Sequence, residues 1–367
     1  MKVTGIGLCM LRVPLRTPFR TALRTVDAVH DVVVRIRTGT GQVGHGSAAA
    51  TPPITGETHA SIVAAIGQHI APALVGEPFD DLPRLAARVQ GATARNTSAK
   101  AAVDMALHDL AAQRAGVPLV RLLGGAAPAV LATDLTISVD GIDTMAADAD
   151  AAVARGFASL KVKLGREPAL DIARVRAVHE AVAGRATLRL DPNQGWDAAH
   201  AIEVMRALER AGIVPELLEQ PVPAHDLDGL AHVARSVAVP VMADESVFDP
   251  AQALEVARRG AVSILNIKLM KAGGIGAALR IADIAAAHGL RCMMGCMLES
   301  SIGVAAAAHV AAARGDVIAY VDLDGPSLAT FDPVEGGTRF DGPAIRIPDA
   351  PGLGIAAIGG LEPLPGA

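Results

Sequence analysis

Aromatic side chains are nearly missing from this chain: 367 residues hold one Trp, one Tyr and six Phe. A core must therefore be filled by small aliphatic groups, chiefly alanine, spread over many helices. Cysteine is almost as scarce. Cys9, Cys292 and Cys296 have no CxxC spacing, which excludes a disulfide framework and a thiolate zinc site and fits a reducing compartment. There is no excess of positive charge either. The net charge is −5 with both signs interspersed, and without a basic stripe nucleic acid is not an expected partner. Long apolar runs are absent too: Ile302–Ala313 is too short and too alanine-rich to span a membrane. Arg12 and Pro14 interrupt the first apolar stretch, so it reads as a strand and not a signal peptide. A soluble, cytoplasmic protein is the expectation. Lysine is rare as well. Only Lys2, Lys100, Lys161, Lys163, Lys268 and Lys271 stand against 27 arginines.

That scarcity gives weight to Ala158–Leu164, Ala-Ser-Leu-Lys-Val-Lys-Leu. The stretch reads as a short strand, and the period of two puts Lys161 and Lys163 on one face. A chain that takes arginine for plain charge keeps lysine here, and a crowded lysine can give up its proton where arginine cannot.

Residues 1–125 read as an α+β unit. Strands are expected at Lys2–Val13, Asp31–Thr38 and near Gln42–Gly46, followed by helices at Gly56–Ile70, Leu82–Gln90 and Ser98–Ala115. A polar, basic loop at 16–25 lies between the first two strands and is long enough to serve as a lid. Residues 126–322 alternate short apolar strands with alanine-rich helices. Eight strands are expected near Leu131–Val139, Ser159–Leu164, Thr187–Asp191, Leu217–Glu219, Val241–Ala243, Ser263–Ile267, Arg291–Met294 and Ala319–Val321. This pattern predicts an α/β fold, a (β/α)7–8 TIM-like barrel. A doubly wound sheet is disfavoured, since Gly273–Ala278 is an incomplete dinucleotide fingerprint. The Gly- and Pro-rich segment 323–367 is expected to return to the N-terminal unit, completing a capping domain.

A barrel carries its chemistry at the C-terminal ends of its strands. Charged residues recur there: Lys161 and Lys163, then Asp191, Glu219, Asp244, Lys268, and finally Asp322 and Asp324. From Lys163 to Lys268 the intervals are 28, 28, 25 and 24 residues, one β/α unit each. An acid in such a place often caps the next helix. Capping does not explain three acids bracketed by lysines. Asp191, Glu219 and Asp244 would repel one another uncompensated, so a hard divalent cation is expected, and all-oxygen ligation selects Mg²⁺. Asn193 and Glu245 sit beside these ligands and could support them. Lys163 and Lys268 come from opposite sides of the barrel and could take a proton from one face of a carbon and return it to the other. Lys161 is expected to tune Lys163, because two ammonium groups ~6 Å apart repel by about 3 kcal/mol at intermediate dielectric.

Taken together, Lys-x-Lys at 161–163, Asp191-x-Asn193, Glu219-Gln220-Pro221, Ala243-Asp244-Glu245-Ser246 and Asn266-x-Lys268-x-x-Lys271-x-Gly273-Gly274 resemble the enolase superfamily, muconate-lactonizing subgroup, over nearly the whole chain. The resemblance implies abstraction of a proton α to a carboxylate with one Mg²⁺ per subunit. Asp322-Leu323-Asp324-Gly325-Pro326 is similar to the Asp-x-Asp of dipeptide epimerases, which implies that the pair holds a free α-ammonium. The lid sequence resembles that of the Ala-Glu-specific members. It implies a dipeptide substrate such as L-Ala-L/D-Glu, with Arg24 facing an acidic second side chain. Cys296 and Met297, at the seventh strand end, would line the remaining wall. N-succinylamino acid racemase, o-succinylbenzoate synthase and muconate cycloisomerase of the same subgroup are the alternative, and a silent ligand-binding barrel the remote one. A homo-oligomer is expected. Gly44-His45-Gly46-Ser47 departs from the common Gly-x-Gly-Glu, which bears on side-chain preference.

Overall fold

A computed structural model describes residues 1–21, 24–165 and 167–364 of the chain. Ala22 and Leu23 of the expected lid, and the last three residues of the expected C-terminal segment, lie outside them.

The N-terminal sheet is a meander of Val3–Arg20, Thr25–Thr38 and Val43–Ala49, all antiparallel. The sequence expectation stopped the first strand at Val13 and began the second at Asp31. Instead Phe19 pairs with Val26 and Arg20 with Thr25, beyond a register shift after Pro14. The expected loop is thus largely the outer end of a hairpin. Its polar residues escape period-two reading because neither face of a projecting ribbon is fully buried there. The helix Thr97–Ala115 packs on this sheet. At Gly44 and Gly46 a Cβ would meet carbonyl oxygens of Ala106 and Ala102 at 2.2 and 2.0 Å, so glycine is what lets helix and strand approach.

Eight parallel strands follow, in sheet order equal to chain order: Leu135–Ile137, Ser159–Lys163, Thr187–Asp191, Leu217–Glu219, Val241–Ala243, Ile264–Lys268, Arg291–Gly295 and Ile318–Asp322. Each is followed by helix, as short buried parallel strands require. The first and eighth meet where Asp134 N donates to Val321 O at 3.3 Å and Leu323 N to Thr133 Oγ1 at 2.8 Å, which nearly closes the barrel. One expected strand divides. Leu131–Val139 is in fact Ala129–Ala132, which pairs with Ala344–Ile347, and Leu135–Ile137, which joins the barrel. Thr133 and Asp134 turn the chain between the two.

The C-terminal segment comes back across the N-terminal sheet. Glu362–Pro363 pairs with the first strand at Met10 and Cys9, and Leu353 N donates to Asp109 Oδ1 at 2.8 Å. Among the described residues no helix is long and apolar enough to cross a membrane.

Candidate active site

Because the barrel strands are parallel and in order, their last residues all rise at one end. Lys163, Asp191, Glu219, Lys268 and Asp322 are each the final residue of a strand, and Asp244 follows one directly. All are buried. One cavity at this end is lined by Lys161, Lys163, Asn193, Asp244, Glu245, Lys268, Cys296, Met297, Asp322 and Asp324, with Arg24 reaching in from the hairpin. Asp191 and Glu219 lie beneath it, fully buried. The strand ends also carry the sequence-predicted lysines to opposite walls, since the second and sixth strands of eight are four places apart.

The ammonium groups and carboxylates are interleaved. Lys161 Nζ lies 2.8 Å from Asp322 Oδ2, 2.7 Å from Glu219 Oε2 and 3.1 Å from Asp191 Oδ2. Lys163 Nζ lies 2.5 Å from Asp191 Oδ2, and Lys268 Nζ 2.8 Å from Asp244 Oδ2. The expectation that Lys161 acts mainly by repelling Lys163 misses these partners. Burial works against the Lys161 charge, but Asp322, Glu219 and Asp191 outweigh it and hold this lysine well above its ordinary pKa. Lys268 is likewise raised, with Asp244 overcoming burial.

The acids divide into two classes. Burial would push Asp191 and Asp244 up, but the lysines hold both below the usual carboxylate range: Lys163 and Lys161 for the first, Lys268 and Lys271 for the second. Glu219 shares Lys161 with two other carboxylates, and among the described residues Glu245 has no ammonium in ion-pair contact. Burial, with the neighbouring aspartates, pushes these two glutamates to about 7 and about 8. At the rim, burial would raise Asp322, yet Lys161 brings it to about 2. Burial and Asp322 push Asp324 to about 6, although it accepts the Thr136 N–H at 2.7 Å.

This imbalance bears on a cation. Four buried lysines (Lys161, Lys163, Lys268, Lys271) face six buried acids (Asp191, Glu219, Asp244, Glu245, Asp322, Asp324), so the site is short of positive charge. Glu245 Oε2 and Asn193 Oδ1 are buried without a hydrogen bond, and Glu219 Oε2 and Asp244 Oδ1 have only an ammonium each, Lys161 at 2.7 Å and Lys271 at 2.6 Å. Such oxygens, with no sulfur or imidazole among them, suit a hard divalent ion. Among the described residues no three acids stand together ready to hold a metal ion; Asp191, Glu219 and Asp322 gather instead around the Lys161 ammonium. The direct convergence of Asp191, Glu219 and Asp244 expected from spacing is modified accordingly.

Other residues of the site were given no role from sequence. Lys271 donates to Val247 O and Asn266 O, both at 3.0 Å, and to Asp244 O, tying the fifth and sixth strand ends together. Gln220 Oε1 accepts the Asp244 and Ser246 N–H groups at 2.9 and 3.2 Å. Their partners are mostly backbone groups far along the chain, which no spacing reveals. Phe19, Thr51, Pro53, Ile54, Leu298 and Leu328 supply the apolar rim. Ser47 does not line the cavity; it is fully buried between the N-terminal sheet and the barrel. The Arg24 guanidinium is lowered by burial, and among the described residues no carboxylate pairs with it.

Residues 5–124 match the mandelate racemase / muconate lactonizing enzyme N-terminal domain, and residues 144–357 the enolase C-terminal domain-like family. An L-Ala-D/L-Glu epimerase of Clostridium acetobutylicum is 47% identical over 98% of this chain and 99% of its own length. The substrate-liganded L-Ala-D/L-Glu epimerase of Bacillus subtilis superposes with a TM-score of 0.95 at 43% identity, covering 98% and 99% of the two chains. The dipeptide epimerase of Enterococcus faecalis complexed with Mg and L-Leu-L-Tyr gives 0.93 at 39%, covering 97% and 100%.

Proposed function

From the premise that this chain belongs to the enolase superfamily, as an isomerase of its epimerase and racemase branch, we propose that it is a Mg²⁺-dependent dipeptide epimerase acting on acidic dipeptides such as L-Ala-L/D-Glu. The observation that carries this reading is a shared cavity: lysines from opposite barrel strands face the same space as the Asp322–Asp324 pair.

Each charged group of the dipeptide then has a partner. The terminal carboxylate goes toward Asp191, Glu219 and Asp244, the residues that would hold magnesium, with Asn193 and Glu245 beside them. The bound ion would supply the positive charge that acidifies the α-proton. The free ammonium of the first residue goes to Asp322 and Asp324, which would repel an anion in that place. The side chain of the second residue goes to Arg24, whose planar fork suits a carboxylate. Cys296 and Met297 close the wall between.

One lysine takes the α-proton and the other gives its own proton to the opposite face, a 1,1-proton transfer. The base must be a neutral amine, so in each direction the lysine that takes the proton has to leave its carboxylate partner and lose a proton to solvent first. That partner is Asp191 for Lys163 and Asp244 for Lys268. Lys161 keeps Asp191, Glu219 and Asp322 in place throughout. The test is proton NMR in deuterated buffer with Mg²⁺ over a dipeptide library. Deuterium should enter at the C-terminal α-carbon, fastest for acidic second residues. Exchange confined to N-acylated amino acids would replace this reading with a racemase.

A further inference from the structure

The wall of Cys296, Met297 and Leu298 runs on into a buried polar cluster that the chemistry above does not use. Glu299, after the seventh barrel strand, is 2% exposed, and Asp31, on the second strand of the N-terminal sheet, is 0% exposed. Glu299 Oε1 accepts the Met297 N–H at 2.7 Å. Asp31 Oδ2 accepts both the Ser300 N–H, at 2.9 Å, and the Ser300 hydroxyl, at 2.6 Å. Ser47 lies beside them, 3.5 Å from the Ser300 hydroxyl. The packing leaves no slack. A Cβ at Gly303 would stand 2.5 Å from Glu299 Oε2 and 3.0 Å from Ser47 Oγ. A Cβ at Gly325 would stand 2.7 Å from the Glu299 carbonyl.

Two neighbouring residues thus bind in opposite directions. Glu299 turns back to hold the backbone of the cavity wall, and Ser300 reaches across to the sheet. The strand that carries Asp31 begins at Thr25, next to Arg24, and Arg24 and Leu298 line the same cavity. We propose that Asp31 and Glu299 are positioning residues that seat the N-terminal sheet on the barrel and hold Met297 and Leu298 opposite Arg24, so fixing the width of the cavity for the substrate's second side chain. The substrate part of this rests on the dipeptide reading; the seating of the wall does not.

Two carboxyls in one dry cluster need a proton. Burial and Asp31 push Glu299 up to about 8, with Lys268 pulling weakly the other way; Asp31 is itself raised by burial, against Ser300, Ser47 and His59. The Cys296 thiol also faces Glu299, held neutral by burial. Loss of the Glu299 proton would put two anions against one another and loosen the wall. If only the protonated form binds substrate, KM should rise about tenfold between pH 7 and pH 9 with much less change in kcat.

The experiment compares Glu299→Gln, Glu299→Ala and Asp31→Asn with wild type, reading KM and kcat separately from pH 7 to 9. A parallel measurement follows hydrogen exchange of the backbone amides at 296–300, corrected for intrinsic rates, in enzyme without substrate. Glu299→Gln should abolish the rise in KM and keep the amides protected at pH 9. Glu299→Ala should raise KM at every pH. Asp31→Asn should move the rise to lower pH, because the Asp31 charge helps Glu299 keep its proton. An unchanged pH dependence of KM in Glu299→Gln, or equal losses of kcat in Gln and Ala variants at constant KM, would overturn the proposal. So would amides equally protected at both pH values in wild type. If the amides behave as expected while no dipeptide is turned over, the seating stands and the substrate assignment falls.

Discussion

Lys163 and Lys268 end barrel strands four places apart and line one cavity, yet each is tied to a different carboxylate, Asp191 at 2.5 Å and Asp244 at 2.8 Å. If they act on opposite faces of one carbon, the two must be needed together for inversion but not for exchange. Lys163→Ala and Lys268→Ala should each lower epimerisation by about 10²–10⁴-fold, the usual contribution of a positioned acid or base. Each variant should still exchange the α-proton of one epimer, and the two should prefer opposite epimers. Proton NMR of each pure epimer in D₂O reads this directly. Exchange from both epimers in either variant would sink the two-base scheme.

Asp324 gives a test of the ammonium site that leaves the lysine network alone, since its Oδ2 accepts from the Thr136 backbone. Asp324→Asn keeps the shape and removes the charge. Losing a charged hydrogen bond of about 1.5–3 kcal/mol corresponds to roughly a 10- to 150-fold rise in KM for a free dipeptide. The N-acetylated dipeptide should be no worse in the variant than in wild type. Equal losses on both compounds would remove the ammonium from this corner.

Arg24 decides which second residue is preferred. Its guanidinium is half-buried and without a carboxylate partner among the described residues, which is costly unless a ligand supplies one. Arg24→Gln should lower kcat/KM for an Ala-Glu dipeptide by about 10- to 100-fold and alter an Ala-Leu dipeptide by less than about threefold. Arg24→Lys should recover only part of the loss, because an ammonium cannot grip a carboxylate in two places. A uniform change across both dipeptides would assign Arg24 to lid structure alone.

What the sequence made legible follows from where order along the chain becomes order in space. Strands such as Thr187–Asp191 and Leu217–Glu219 are short, end on an acid and are separated by one helix, so their limits and shared end could be read from spacing. The same logic failed at Leu131–Val139, where nothing local says that Leu131 pairs with Ile345 while Leu135 pairs with Leu160. It also misjudged Lys161. Two lysines on one face suggest mutual repulsion, and only the fold brings Asp322, from 161 residues away, to within 2.8 Å of the amine. Lys271 and Gln220 stood in the motifs without a role for a related reason: most of what they hold is peptide backbone, which has no signature in composition.

The charge imbalance of the site makes its stability depend on pH and metal in a defined direction. Glu219 and Glu245 are raised to about 7 and about 8, above their ordinary value. Between the unfolded and folded values the native protein binds protons that the unfolded chain does not, so stability falls as pH rises through that window. Asp191, Asp244 and Asp322 are lowered instead; their contribution is complete above the ordinary aspartate range and is lost only in strong acid. From pH 5 to 8 Glu219 and Glu245, together with Asp324 and Glu299, raised to about 6 and about 8, therefore set the trend. In EDTA the melting temperature should decline steadily across this range. Mg²⁺ should raise it, and by more at pH 8 than at pH 5, because at low pH the cation must first displace protons. At a hundredfold excess over its Kd the ion contributes about 2.7 kcal/mol. Calorimetric titration should also find proton release on binding, greatest near neutral pH and abolished in part by Glu219→Gln. A magnesium effect independent of pH, or proton release unchanged in that variant, would place the cation elsewhere than on these carboxylates.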